Sequence, residues 1–257
     1  MEKYILLSFD VEEFDLPLEY HHSISAEEQF KIGKLGLDAI TTVLADKDIS
    51  CTLFTTANFA NHFPIEIKHL SEQHEIASHT YYHSDFKYEH LLTSRLALEK
   101  ISGKPVTGLR MPRMRMIEMD EVKKAGYKYD SSINPTLLPG RYNNLHLPRT
   151  IYMEDGVQRI PASVSPNLRL PLFWLSFKNL PYSIYKQLII QTVQKDGYVC
   201  LYFHPWEFTD INQFGLPGYV KKYCGQKLLH HLEQLIKDLK KKGYQFSTIR
   251  DFLNRDI

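Results

Sequence analysis

Short apolar runs rich in β-branched and aromatic residues alternate with stretches of helical period along nearly the whole chain, and that alternation restricts the fold to parallel-sheet architectures. The first run, Ile5-Leu6-Leu7-Ser8-Phe9, reads as a buried strand that ends in the carboxylates Asp10, Glu12 and Glu13. Behind it Ser25-Ala26-Glu27-Glu28 has the pattern of a capping box, and Phe30, Ile32, Leu35, Ala39, Ile40, Val43 and Leu44 fall at helical spacing to about Asp46. Further strands are predicted at Thr52–Thr56, Glu75–Ser78, Val106–Leu109, Tyr127–Asp130, Tyr198–Phe203 and Tyr244–Phe246. Between them helices are predicted from Pro64, over Glu89–Ile101 with a stop at Gly103, and over Met119–Ala125 with a stop at Gly126. Later helices follow at Ser183–Lys195, at Lys227–Lys242 and after the cap Thr248. About seven strand–helix units fit a distorted (β/α) barrel, TIM-barrel-like, better than an open sheet.

A chain of 257 residues can bury the core of one such α/β domain, spanning residues 1–257, without disulfides. Residues 131–181 interrupt the rhythm with repeated prolines, and only Gln158-Arg159-Ile160 there resembles a strand. So long an irregular stretch is usually disordered or functional, and Leu172-Phe173-Trp174-Leu175 carries too much apolar surface for a solvated tether. It is expected to wall the mouth of a site, with Trp174 facing substrate. Net charge is +1 with both signs interspersed, which leaves no basic stripe for nucleic acid. Cys51, Cys200 and Cys224 are odd in number and read as reduced thiols. The first residues lack the pattern of a secretory signal and no apolar run reaches the length of a membrane span, so the expectation is a cytoplasmic protein.

Barrel chemistry gathers where strands end, and there the polar residues accumulate. His79 and His83 follow the third strand in a His-x-x-x-His spacing that can place two imidazoles on one divalent metal. Asp10 and Glu12, two apart at the end of the first strand, point to one side if the chain stays extended, and Glu12 is the expected third ligand. Glu13 and Asp15 read as cap or turn residues. Arg110 follows an apolar strand and precedes a proline, so its guanidinium can brace a buried carboxylate; Asp130 is either its partner or the cap of the next loop. His204 leaves the strand Tyr198–Phe203 and is either a core histidine or, with a metal across the mouth, the proton donor. Tyr202 and Trp206 either wall a substrate pocket or pack the core.

In this order the segments resemble the NodB-like polysaccharide deacetylase family, carbohydrate esterase family 4, over most of the chain. Ser8-Phe9-Asp10-Val11-Glu12 is similar to the family's Thr-Phe-Asp-Asp-Gly segment, and His79-Thr80-Tyr81-Tyr82-His83 matches its His-[Ser/Thr]-x-x-His segment. Arg110-Met111-Pro112 matches the start of Arg-x-Pro-aromatic, with Arg113 at the aromatic position, and Leu201-Tyr202-Phe203-His204-Pro205 looks like the final segment. The resemblance implies a distorted barrel with Zn2+ as the cofactor, Asp10 as general base, and His79 and His83 as ligands. Val11 stands where the second aspartate is usual, which transfers the ligand role to Glu12. Arg113 would then shape the substrate groove. The implied activity is hydrolysis of a linear amide, removing N-acetyl groups from an acetylated sugar or polysaccharide precursor. Two other readings stay open: hydrolysis of a non-sugar amide or ureide, and a catalytically silent carbohydrate-binding barrel that has lost a ligand at Val11.

Overall fold

The computed structural model describes residues 2–255. In chain order the strands are β1 (Tyr4–Val11), β2 (Thr52–Thr55), β3 (Glu75–Ser78), β4 (Gly108–Leu109), β5 (Tyr129–Asp130), β6 (Leu137–Leu138), β7 (Tyr142–Asn143), β8 (Tyr152–Glu154), β9 (Val157–Arg159), β10 (Tyr198–Phe203) and β11 (Gln245–Phe246). The main sheet runs β10-β1-β2-β3-β4-β5-β9-β8, with β11 on the first residues of β1. Every pairing from β10 through β9 is parallel, and β8 turns back antiparallel on β9. The barrel is incomplete. Its gap between the edge strands β8 and β10 is crossed by irregular chain that follows β9, where the Ser163 amide donates to the Cys200 carbonyl at 2.9 Å and the Cys200 amide donates to Ser163 Oγ at 2.8 Å.

Side-chain alternation along β1 divides the interior into two layers. Ile5, Leu7, Phe9 and Val11 belong to the large core between sheet and helices, whereas Tyr4 and Leu6 join Phe54, Tyr129, Tyr198, Cys200, Ile249 and Phe252 inside the curl. The C-terminal helix Ile249–Leu253 closes the base of the curl. There the buried Glu75 carboxylate accepts from Thr52 Oγ1 at 2.8 Å, Tyr129 Oη at 3.0 Å and the Arg250 amide at 3.0 Å, which satisfies a group that burial would otherwise penalise. The three cysteines are free thiols, and among the described residues no helix is long and apolar enough to cross a membrane.

The helix Ala26–Leu44 starts where the capping box put it, with Ser25 Oγ accepting from the Glu28 amide at 3.2 Å. On its sheet-facing side Gly33 and Gly36 allow an approach that no side chain permits. A Cβ on Gly33 would lie 2.6 Å from the Glu12 carbonyl oxygen, and one on Gly36 would lie 2.3 Å from the Pro205 carbonyl oxygen. The helix therefore rests directly on the two turns that follow β1 and β10.

The irregular stretch holds more structure than its prolines suggested. It contains the hairpin β6–β7, the hairpin β8–β9 and the helix Trp174–Asn179. β8–β9 turns on Asp155 and Gly156, both at positive φ of 50° and 83°, the left-handed pair that a two-residue hairpin demands. Asp-Gly was a readable signal, and the strand it announces is β8. A helix at Ala57–His62, capped by Thr56, also precedes the expected one at Pro64–Leu70.

Gly36→Ala is expected to destabilise the fold by about 1–3 kcal/mol, the usual scale of overpacking, because the clash is with backbone. Gly218→Ala, where no atom lies within 4 Å of the added Cβ, should stay within about 0.5 kcal/mol of wild type. Equilibrium denaturant unfolding compares the two, and equal midpoints would remove the close-approach argument.

Candidate metal centre and active site

The residues with chemistry follow the C-terminal ends of β1, β3, β4 and β10 and converge on one cavity of about 350 Å³. Asp10 and Glu12 occupy the inward positions of β1's period, and Val11 between them packs outward into the helical core. Val11 is buried in that core and does not line the cavity, whereas Glu12 does.

After β3 the chain turns sharply at Thr80, whose φ of 64° is unusual for a β-branched residue. The turn is held by Thr80 Oγ1 donating to the Tyr82 carbonyl at 2.9 Å and by the Thr80 amide donating to Ser78 Oγ at 3.1 Å. It brings the His79 and His83 rings nearly parallel, with centroids 5.6 Å apart. Glu12 Oε2 lies 3.1 Å from Nε2 of each histidine. These three donor atoms fall within 4.8 Å of one another, the arrangement that can hold a metal ion.

The donor set fits a divalent metal on chemical grounds. Metal bonds of about 2.0–2.2 Å to N and O place neighbouring donors roughly 3–3.5 Å apart. His79 Nδ1 lies 2.8 Å from the Arg110 carbonyl and His83 Nδ1 lies 2.7 Å from Asp15 Oδ1, so each ring can place its proton on Nδ1 and turn a lone pair on Nε2 toward the site. Among the described residues Glu12 Oε2 and His79 Nε2 are buried without a hydrogen-bond partner. Burial opposes the charge of Glu12, yet His83, His79 and His204 together hold its carboxyl far below the usual carboxylate range. Burial likewise opposes the His83 charge, but Glu12 and Asp15 raise that imidazole to about 9 when no metal is bound. The sequence suggested zinc, and this geometry would accept it.

Beside these three donors, Asp10 Oδ1 accepts from Arg110 Nη1 at 2.6 Å, and Asp10 Oδ2 stands 3.9 Å from His204 Nε2. Arg110 is fully buried. It donates also to Ser8 Oγ at 3.0 Å, the Ser131 carbonyl at 3.2 Å and Ser131 Oγ at 3.0 Å, and lies 4.0 Å from the Phe54 ring centroid. The suggested contact with Asp130 is not made. Asp130 instead pairs with Arg159 at 3.0 Å and accepts from the Ser132 amide at 3.0 Å, because β9 adds a strand beside β5 and supplies a nearer guanidinium. Asp130 is thus a buried structural carboxylate behind the site.

His204 is clamped. Its ring stacks on Trp206 at 4.8 Å, Trp174 meets it edge-on at 5.1 Å, and its amide donates to Glu207 Oε1 at 2.7 Å. Nδ1 lies 3.1 Å from the same carboxylate oxygen, whose other oxygen lies 2.7 Å from Lys178 Nζ. Burial works against the His204 charge, but the bond to Glu207, with the charges of Glu12, Glu207 and Asp10, raises its pKa above the ordinary value. Tyr202, Trp206, Trp174 and Arg113 all line the cavity. Trp206 does more, since its indole N–H donates to Glu12 Oε1 at 3.1 Å and orients the ligand carboxylate.

The sequence reading missed three contributors. Asp15 was assigned to a turn, but its side chain makes no cap bond and instead fixes His83, with Arg113 Nη2 3.3 Å away. Glu13, read likewise as a cap or turn residue, instead accepts from Thr56 Oγ1 at 2.6 Å and from Asn58 Nδ2 at the start of the helix Ala57–His62. Glu207 had a signal: it stands three residues after His204 across Pro205, the spacing at which a carboxylate reaches back to cap a turn. Lys178, on the helix within the irregular stretch, had none.

Residues 2–129 match the profile of the family described as polysaccharide deacetylase. The chain belongs to that family. No curated protein matches the sequence. Solved structures show the same fold at low identity. A structure from Mycobacterium smegmatis assigned to the polysaccharide deacetylases is 17% identical, with TM-score 0.63 and coverage of 98% of this chain and 90% of that one. A probable polysaccharide deacetylase from Pseudomonas aeruginosa PAO1 is 14% identical, with TM-score 0.65 and coverage of 96% and 88%. Puue allantoinase is 15% identical, also with TM-score 0.65 and the same coverage of 96% and 88%. The deacetylase barrel expected from the sequence is therefore the fold of this chain.

Glu12→Gln should weaken metal retention, whereas Glu13→Gln should leave it unchanged, as read by metal analysis after dialysis of loaded protein. Asp15→Asn should lower metal affinity by about 10–100-fold, the scale for losing a carboxylate behind a ligating histidine. Undiminished affinity in both Glu12→Gln and Asp15→Asn would place the centre elsewhere.

Proposed function

We propose that this polysaccharide deacetylase family member is a metal-dependent hydrolase that removes an N-acetyl group from an acetylated sugar. The observation that carries the reading is the convergence in one cavity of the Glu12, His79 and His83 donor atoms with a carboxylate–histidine pair, Asp10 and His204, 3.9 Å apart. A bound divalent ion, Zn2+ in this reading, would lower the pKa of a water molecule and polarise the acetamide carbonyl.

The protein's own groups divide the proton transfers. Arg110 occupies Asp10 Oδ1 and leaves Oδ2 facing the cavity, so Asp10 is the acceptor for the proton of the attacking water. His204, kept protonated by Glu207, gives a proton to the amide nitrogen as the carbon–nitrogen bond breaks, yielding acetate and a free amine. Glu207 is itself held by Lys178, whose ammonium is buried against Trp174 at 4.9 Å. Tyr202, Trp174 and Trp206 supply an apolar wall around the acetyl group. The argument for a silent binding barrel was the aspartate missing at Val11; the Glu12 carboxylate among the two histidines supports the enzymatic reading instead.

Asp10→Asn and His204→Ala should each retain bound zinc yet lose at least about a hundredfold in turnover, the scale for removing a proton-transfer group. Acetate release from N-acetylated sugars, measured beside metal content, checks both. Loss of zinc in Asp10→Asn would make Asp10 a ligand.

Glu207 also sets a pH limit. A donor whose pKa is raised stays protonated up to that value and is lost as pH climbs through it, so turnover should fall on the alkaline side. Glu207→Gln removes the raising charge and should move that alkaline limb to lower pH, with zinc content unchanged. An unmoved limb in a folded variant would mean that His204 is not the group that titrates.

A further inference from the structure

Segments around the mouth of the cavity are bonded to one another in a circuit. Glu19, on the short helix Leu16–Glu19, stands between two arginines from distant parts of the chain: Arg113 Nε donates to Oε1, and Arg141 Nη2, from the tip of the β6–β7 hairpin, donates to Oε2 at 3.1 Å. The hairpin continues the circuit through Thr136 Oγ1, which donates to the Arg169 carbonyl at 2.7 Å on the chain leading to helix Trp174–Asn179. From that helix Asn179 Nδ2 donates to the Tyr219 carbonyl at 2.9 Å. Tyr219 Oη then meets Tyr20 Oη at 3.3 Å, next to Glu19, where the circuit began. Glu19, Tyr20, Arg113, Arg141 and Tyr219 all line the cavity.

A polymer bound through its interior needs a trough with two open ends, and a closed rim offers one opening. The cavity volume of about 350 Å³ sits at the low end of the roughly 300–1,000 Å³ that small-molecule sites occupy. We propose that the rim closed by Glu19 and Tyr219 limits the site to a small amide or to the terminal unit of a chain, and excludes the interior of a polysaccharide. The inference rests on the proposed deacetylase reading for the chemistry of that unit, but the size limit has its own test.

Trp174 and Trp206 are the chain's two tryptophans and both line the cavity, so fluorescence excited selectively at tryptophan, beyond the tyrosine absorption band, reports on it. Quenching by a free nitroxide is compared with quenching by the same nitroxide coupled along a dextran chain. In wild type the free nitroxide should quench several-fold more strongly, and the Glu19→Ala, Tyr219→Phe double variant should narrow the difference by raising the polymer-borne arm. Equal quenching by both forms in wild type overturns the size limit, whatever the variant does.

A second measurement uses zinc-loaded protein with N-acetylglucosamine and its pentamer, mapping lost acetyl groups by mass spectrometry. Loss confined to the monosaccharide and to terminal units supports the limit. Loss from internal units overturns it and leaves the deacetylase reading standing. If neither sugar releases acetate while the quenching contrast holds, the deacetylase reading fails and the size limit stands.

Discussion

Arg110 is a permanent positive charge with no exposed surface, and the site is built around that constraint. A buried guanidinium is tolerable only when paired and hydrogen-bonded, and removing one partner of such a pair typically costs about 3–5 kcal/mol. Asp10 provides the charge, and Ser8 and Ser131 fill the remaining donors. One consequence is chemical: with Oδ1 occupied, Asp10 has a single oxygen facing the cavity. Another is spatial, because the pair ties the end of β1 to the end of β4 and so fixes the distance between the carboxylates of β1 and the histidines that flank them.

The same economy runs outward from the pair. Three groups with a proposed chemical role are oriented by a neighbour on a different element, Glu12 by Trp206, His83 by Asp15 and His79 by the Arg110 carbonyl, and His204 is oriented by Glu207 of the turn that it caps. Glu207 would itself be an uncompensated buried charge without Lys178, which comes from the irregular stretch. That stretch is thus part of the electrostatics of the site as well as its wall. An ammonium held between Glu207 and two indole rings is a costly arrangement, and it is the kind that persists where orientation of a nearby group matters.

Much of this was legible in the sequence for identifiable reasons. Strand and helix periods, capping residues and stop glycines are local signals, and they located β3 and β10 to the residue and most helices to within two. Asp10, Glu12, His79, His83 and His204 could be gathered because parallel strands must deliver their ends to one face. What escaped was decided by side-chain partners far apart in sequence. Asp130 read either as the partner of Arg110 or as the cap of the next loop; it does accept from the Ser132 amide of that loop, but its charge partner is Arg159, and the pairing of β5 with β9 that brings Arg159 there has no local mark. Asp15 reads as a turn from its neighbours and becomes a support of His83 only when residue 83 folds back on it, 68 positions away.

Gly33 and Gly36 show how residues without chemistry take part in it. Their missing side chains let the helix Ala26–Leu44 lie against the Glu12 carbonyl and the Pro205 turn at once. One rigid element thereby carries both the Glu12 end of β1 and the His204 end of β10, which are neighbours in the sheet. The position of the proposed acid relative to the metal centre is then set less by the flexibility of either loop than by the packing of one helix. A contact of backbone on backbone has little room to relax, so the precision that proton transfer requires is inherited from the core.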